Sequence, residues 1–364
     1  MNQKSHRVLQ YAEKLFHRYE RRFSSLFFVF GFLWDNLTLT RVDMWLDISI
    51  IFSYLVIATF GIAVLNLSLV KKEESILKRI SLWSPFLMQF AFGGLFSSFI
   101  VFYTRSATLA ANWPFLLFLV CMFVGNEFFR KHYQRFGFQM SILFTALFSF
   151  SIFYVPIIVN RIGAEIFLLS GVVSLAAIGV VLSFFGKIMP YRVRASRRML
   201  TRSIPAIYLA ITIMYFTNLI PPLPLSLKDM GVYHRVERMS NGGYSVVYED
   251  KKWYEFFKRF EVFHQVRGER VYVYSSVFAP TDLDTRILHR WQYLDNAGVW
   301  QTADKLQFPI YGGRDGGYRG YSVKTNTSVG KWRVDVITER GQLLGRVKFE
   351  VVSTGSAKLV TKMF

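Results

Sequence analysis

The sequence predicts an α-helical membrane bundle of about seven transmembrane helices, followed by a small all-β domain of immunoglobulin-like sandwich type. Three observations carry that expectation. Hydrophobic residues make up 52% of the chain and 37 are phenylalanine, too apolar for an ordinary soluble protein. Every stretch that reaches the roughly 20 apolar residues of a spanning helix lies before residue 221. From residue 269 the apolar pattern changes to a period of two, the repeat of a half-buried strand.

Residues 1–22 form a basic segment in which Val8, Ala12, Leu15, Tyr19 and Phe23 recur at helical spacing, opposite Lys14, Arg18 and Arg21. That pattern fits an amphipathic helix on an anionic leaflet, or a segment that only orients the first span. A removable signal peptide is not expected, because no small-x-small cleavage site follows the apolar part. Seven spans follow within residues 23–220: 23–40, 48–70, 84–104, 113–129, 136–159, 166–189 and 203–220.

The charges between these spans alternate. Lys4, Arg7, Lys14, Arg18, Arg21 and Arg22 precede the first; Lys71, Lys72, Lys78 and Arg79 fill the second connection. Arg130, Lys131 and Arg135 occupy the fourth, and Lys187, Arg192, Arg194, Arg197, Arg198 and Arg202 the sixth. The other connections hold one each, Arg41, Arg105 and Arg161, so nineteen basic residues stand against three. The positive-inside rule then predicts a cytoplasmic N-terminus in the inner (plasma) membrane and, after seven crossings, a periplasmic or otherwise extracytoplasmic C-terminal region. The net charge of +20 belongs mostly to this asymmetry, since residues 1–220 carry 22 Lys and Arg against 9 acids. Nucleic acid is therefore not an expected partner; membrane lipid is.

An acid near the bilayer is expensive enough to be a functional candidate. Asp35, Arg41, Asp43 and Asp47 cluster around the first outer turn, where Asp43 and Asp47 share a helix face. They fit either a cation or head-group site, or a wet interfacial layer with Arg41 as counter-ion. Glu127, at the inner end of the fourth span, has Arg130 and Lys131 three and four residues on, the spacing of a helix-end ion pair. No span carries the ladder of acids or histidines that a pump needs, and no two spans break symmetrically as in inverted-repeat transporters. The one cysteine, Cys121, lies in a span and allows no intramolecular disulfide. No metal-ligand spacing surrounds it, and neither a cofactor nor a metal is expected.

Residues 221–268 read as a juxtamembrane linker. Pro221, Pro222 and Pro224 end the last helix, a short strand is expected at "GYSVVYE" (243–249), and "KKWYEFFKRFEVFHQV" (251–266) has helical spacing. In the latter, Trp253, Phe256, Phe257, Phe260 and Phe263 share one face, to lie on the membrane or on the β domain. The sandwich itself is expected over 269–353, with a tail over 354–364. Its strands are "ERVYVYSSVF", "RILHRWQYL", "KWRVDVIT" and "LGRVKFEVV", with further runs at "KLQFPIY" and "YRGYSVKTN". In "KWRVDVIT", Trp332, Val334 and Val336 face one way and Lys331, Arg333 and Asp335 the other. "ERGQ" (339–342) has the length and the glycine of a hairpin turn.

The glycine-rich stretch "YGGRDGGYRGYS" (311–322) lacks both phosphate-loop spacings and leads into a strand, so a hairpin-like connection is expected. Arg314 and Arg319 with Tyr311, Tyr318 and Tyr321 remain candidates for binding an anionic glycan. His289 and Trp291 share a strand face; the tryptophan is expected in the core and the histidine on nearby backbone, with a binding role as the alternative. No Ser, Cys or carboxylate pair stands in catalytic spacing with His289, and no catalytic residue is expected.

"NLIPPLPLSLKDMGVYH", "VFAPTDLDTRILHRW", "GGRDGGYRGYSVKTN" and "GKWRVDVITERGQLLGRVKFEV" resemble the C-terminal part of a bacterial membrane-protein family catalogued as domain of unknown function 2914. "GFLWDNLTLTRVD" and "NEFFRKHY" resemble its membrane portion. The resemblance implies a multi-pass inner-membrane protein with a small outer β domain and implies no catalytic residue. The function expected from these readings is a non-enzymatic envelope protein whose outer domain binds a protein, glycan or lipid. The alternatives are a transporter or flippase of a lipid or envelope precursor, using the Asp35/Arg41/Asp43/Asp47 cluster, and a membrane enzyme acting on lipid-linked substrates.

Overall fold

The structure, a computed structural model, describes residues 32–39, 44–70, 80–81, 83–106, 109–128, 135–222, 224–240, 242–250, 259–266, 268–280, 283–312, 316–353 and 358–364. The basic segment 1–22 and most of the span 23–40 lie outside them, although residues 32–38 are helical. Six longer helices follow: α1 (Trp45–Val70), α2 (Ser84–Ser106), α3 (Leu109–Phe128), α4 (Phe136–Val159), α5 (Ala164–Ile188) and α6 (Pro190–Phe216). Five of them, all but α3, are long and apolar enough to cross a membrane. In α5 only 28% of the apolar window is buried, leaving Leu168, Val172, Val180 and Phe184 on the surface. So large an apolar surface suits lipid and not water.

Helix α6 corrects one expectation. The arginines at 192, 194, 197 and 198 sit in its first turns and not in a loop. Pro190 suits a first helical turn, where its missing N–H costs nothing, and the run that follows has good helix formers. Both α4 and α6 stop at an asparagine in the left-handed region, Asn160 (φ 54°) and Asn218 (φ 58°), the residue besides glycine that tolerates it best.

The chain forms two compact units. The first comprises residues 1–102, 116–151 and 171–210. Its core is aromatic, with Phe92, Phe96, Phe99, Phe144 and Phe148 fully buried. Asn66 of α1 joins three helices: its amide donates to Gln139 Oε1 of α4 at 2.6 Å, and its carbonyl accepts from Arg192 Nε and Nη2 of α6 at 3.1 and 2.9 Å. Gly171 allows Tyr208 to lie against α5, since a Cβ there would stand 2.7 Å from the ring.

The second unit comprises residues 103–115, 152–170 and 211–364. Asn112 Nδ2 donates to the carbonyl of Leu219 at 2.9 Å, and the amides of Leu219 and Ile220 both bond to the Met214 carbonyl. The segment between α6 and the first strand is therefore pinned. Eleven strands follow: β1 (Ser226–Tyr233), β2 (Arg235–Arg238), β3 (Tyr244–Glu249), β4 (Glu261–Gln265), β5 (Val271–Phe278), β6 (Asp284–Leu294), β7 (Trp300–Tyr311), β8 (Tyr318–Lys324), β9 (Gly330–Thr338), β10 (Leu343–Ser353) and β11 (Leu359–Met363).

They make three sheets, ordered β1-β5-β8, β4-β10-β9-β6-β7 and β11-β3-β2. All pairings are antiparallel except β10 with β4. The pleat sends Val232, Val271 and Val273 of the first sheet and Trp291, Trp332, Val334, Phe349 and Val351 of the second into one shared core. A second core of Tyr233, Tyr244, Val246 and Tyr274 joins the first sheet to the third.

Residues 221–268 thus hold four strands in place of one. The helix expected over 251–266 lies partly outside the described residues, and its second half is β4, drawn into strand by pairing with β10. The expected tail contains β11, paired with β3. "ERGQ" does turn the β9–β10 hairpin, with Gly341 at φ 81° and the Gly341 amide bonded to the Thr338 carbonyl at 2.8 Å. "GGRDGG" does not make a hairpin: it carries the chain from β7 at the edge of one sheet to β8 at the edge of another. Such a corner brings backbones close, and a Cβ on Gly312 would collide with the Pro280 carbonyl.

Candidate anion-binding face

The outward face of the five-stranded sheet is built by strand register. Asp335 of β9 stands opposite Arg346 of β10 on one side and Arg290 of β6 on the other, and Arg290 stands opposite Lys305 of β7. In the next row Lys348 stands opposite Arg333, which stands opposite Gln292. These two rows carry five cations and, among the described residues, a single carboxylate.

That carboxylate is already engaged. Asp335 is fully buried and accepts from Arg290 Nη2 at 2.6 Å, from Arg346 Nε at 2.5 Å and from Arg346 Nη2 at 2.9 Å. Burial works against its charge, but the two guanidiniums outweigh this and hold its carboxyl below the usual carboxylate range. Among the described residues no carboxylate stands opposite the second row, although Asp335 acts on both its cations from the first. Arg333 Nε donates to the Gln292 carbonyl at 2.9 Å. Burial and then the cations Arg259, Arg346 and Arg333 push the Lys348 amine down from its ordinary value. Burial and Arg346 act on Arg333 in the same direction. A directly opposed Lys–Arg pair is unfavourable in a sheet, and Asp335 offsets part of the repulsion here. The Nε of Arg290, buried and without a hydrogen-bond partner among the described residues, is one more donor there.

Aromatic rings hold these cations in place. The Arg333 guanidinium lies 4.4 Å from the Trp300 ring centre, and Lys331 and Lys348 lie 5.4 and 6.0 Å from that of Phe260. Phe260 and Trp300 are themselves near-parallel, at 6.4 Å and 17°. Cations fixed over rings, flanked by planar apolar surface, suit a ligand with acidic groups and flat sugar faces.

The glycine-rich stretch behaves otherwise. Tyr318 and Tyr321 are three apart on β8, so the pleat puts them on opposite faces. Tyr318 packs with Tyr311 at 5.7 Å, whereas Tyr321 packs with Tyr244 and Tyr272 at 6.2 and 6.1 Å. Arg319 donates to the Phe364 carbonyl at 3.0 Å, and Arg314 lies outside the described residues. The four described residues do not converge on one surface.

His289 and Trp291 have no exposed surface, so neither reaches a ligand. Trp291 fills the core and donates to Ser322 Oγ at 3.0 Å. His289 lies between Ser275 and Ser322, each at 2.8 Å, a side-chain pairing in place of the backbone one expected. Burial pushes its imidazole down to about 3, which keeps it neutral. Asp35 and Asp47 are both buried; Arg41 and Asp43 lie outside the described residues, and of Glu127 only its place in α3 is described.

A second polar cluster is a clamp between strands. His234 Nδ1 is 2.7 Å from Glu269 and its Nε2 3.1 Å from Glu249, so both ring nitrogens meet carboxylates and the ring is the imidazolium. Burial opposes that charge, yet the two glutamates raise the His234 value. Glu249 also accepts from the His264 amide at 2.5 Å and pairs with its ring at 2.7 Å. Against the penalty of burial, these bonds lower Glu249 to about 2. These groups bond to one another, and among the described residues no three His, Cys, Asp or Glu are arranged to hold a metal ion.

Among solved structures the chain aligns with Pseudomonas fluorescens alkylpurine DNA glycosylase AlkC bound to DNA containing an abasic site analog. The identity is 11%, covering 78% of this chain and 84% of that one, with a TM-score of 0.23. Listeria innocua β-glucosidase aligns in complex with gluconolactone (12% identity, 29% and 16% covered, TM-score 0.18) and with isofagomine (11%, 36% and 18%, TM-score 0.19). Superpositions this loose carry no argument about fold or activity. No curated protein matches the sequence. Residues 284–351 match the model of a family described as a protein of unknown function, DUF2914. That segment runs from the first residue of β6 into β10 and contains Arg290, Arg333, Arg346 and Lys348, so the match to DUF2914 lies in the C-terminal region of this chain.

Proposed function

We propose that this is a multi-pass inner-membrane protein of the bacterial envelope whose β region binds an anionic glycan on the outward face of the five-stranded sheet. In this reading residues 23–40 supply a first span and the crossings number seven. The N-terminus is cytoplasmic and the β region, an immunoglobulin-like sandwich with a third sheet added, is extracytoplasmic. The alternation of nineteen basic residues against three supports that orientation. The observation that carries the ligand class is the Lys348–Arg333 pair, directly opposed and, among the described residues, without a carboxylate ion pair of its own, beside the Arg290–Asp335–Arg346 triad.

The test uses full-length protein in detergent and a carboxylate-bearing polysaccharide, with a neutral dextran as control. Binding should weaken steeply with salt, and R333E/K348E should lose about tenfold or more in affinity. Equal binding of acidic and neutral polymers, or an unchanged double variant, would remove the proposal. The transporter alternative draws on the burial of Asp35 and Asp47. If it holds, D35N and D47N should abolish function at normal protein levels while R333E/K348E is silent.

A further inference from the structure

The second unit contains a cavity of about 120 Å3, several times the roughly 10–15 Å3 that one water needs on the same measure. One wall is apolar: Ile152 and Pro156 of α4, Phe167 of α5, and Ile220, Pro221 and Pro222 after α6. The opposite wall is the β9–β10 turn, which contributes Thr338, Arg340 and Gln342.

Two donor atoms on this wall have no acceptor among the described residues. Arg340 Nη1 and Gln342 Nε2 are both buried and, among the described residues, have no hydrogen-bond partner, although the Arg340 side chain also bonds to that of Tyr215. Gln342 is 6% exposed, and its other amide atom faces the Thr338 hydroxyl at 3.5 Å. Arg340 is held from behind, its guanidinium 4.3 Å from the Tyr215 ring centre and 5.3 Å from that of Phe216. A cation fixed over two rings, next to an idle amide N–H, is a preorganised receptor for an acceptor-only anion. Buried donors are almost always satisfied, so two such donors on one roomy cavity are placed to meet an acceptor that enters it.

The geometry points to a phosphate-binding pocket, formed by Arg340 and Gln342, that takes the phosphodiester of a phospholipid head group. Two features favour lipid over free phosphate. The apolar wall comes from the ends of α4, α5 and α6, helices long enough to cross a membrane, and head groups lie where such helices end. Glu339 lines the rim, where it accepts from Gln307 at 3.1 Å. Its carboxylate repels a dianion more than a singly charged diester. The pocket shares no residue with the glycan face, and its test is independent of that proposal.

Full-length protein in a neutral detergent would be mixed with phosphatidylglycerol, with a diacylglycerol, or with inorganic phosphate, and followed by native mass spectrometry and thermal shift. Phosphatidylglycerol should be retained and should raise the midpoint; the other two should do neither. R340A and Q342A should each cut retention by about tenfold, with partial rescue in R340K, which keeps charge but loses the fork. Should R340A fail to fold, Q342A reads the same pocket. Wild-type retention in folded R340A and Q342A overturns the proposal. Equal protection by inorganic phosphate overturns the lipid assignment, and equal protection by diacylglycerol overturns the phosphate one.

Discussion

Removing the buried carboxylate of Asp335 tests the electrostatic account of the sheet most directly. Its two oxygens accept three hydrogen bonds from Arg290 and Arg346, whose side chains are 28% and 25% exposed while Asp335 is fully buried. Deleting one partner of a buried ion pair costs about 3–5 kcal/mol, because the other charge is stranded. Here both arginines reach water at one side, which favours the low end, about 3 kcal/mol. Against this, D335A leaves Arg290, Arg333, Arg346 and Lys348 repelling one another with no anion between them. For a β region of this size, that corresponds to a midpoint lowered by roughly 10 °C. Thermal unfolding of the full chain in detergent, read by tryptophan fluorescence, reports it, since Trp291 and Trp332 are buried in the adjoining core. The triple variant R290M/D335L/R346M should recover most of the loss, as apolar replacements of buried triads do. A midpoint within about 2 °C of wild type for D335A would refute the reasoning, because the stranded arginines would then cost nothing.

Three further outcomes are expected. Lowered to about 2 in the fold, Glu249 adds stability above its ordinary value of 4.5, and this is lost as pH falls towards 2; raised above 6.5, His234 adds stability in full below 6.5, and this is lost as pH rises through its folded value. The β region should therefore be most stable between about pH 4.5 and 6.5, and H234Q should flatten the alkaline limb; parallel melting curves for both proteins from pH 6 to 9 would contradict the clamp. W291F, which opens a void in a filled core and frees Ser322 of a donor, should cost about 2–3 kcal/mol by the same melting assay. G312A should cost about 1–3 kcal/mol through collision with the Pro280 backbone, whereas G186A, with open space around a helical glycine in α5, should cost nothing.

The apolar spans were legible because hydropathy is local, and so was the β9–β10 turn, whose glycine and length are both written in "ERGQ". The start of α6 was not, because its arginines read as a loop by charge while their backbone propensity favours helix. Phe260 and Phe263 kept helical spacing with their upstream neighbours, yet β4 exists because β10 offers it a parallel edge, a partner more than eighty residues away. The charged face of the five-stranded sheet was half visible. Arg333 and Asp335, like Arg346 and Lys348, alternate with core residues on their own strands, so their outward aim could be read directly. That β6 lies next to β9, bringing Arg290 onto Asp335, is a matter of sheet order, which no local pattern encodes. The tyrosines of the glycine-rich stretch misled for a simpler reason: odd spacing along a strand separates residues that look adjacent on paper.

The pinned segment after α6 leaves this β region very little slack. Only residues 217–225 separate the helix from β1, and the Met214 carbonyl and Asn112 already hold several of them. A long flexible stalk would let a receptor sweep a wide volume and catch remote targets. A leash this short does the opposite: any pull on the sheet is transmitted straight into the end of α6.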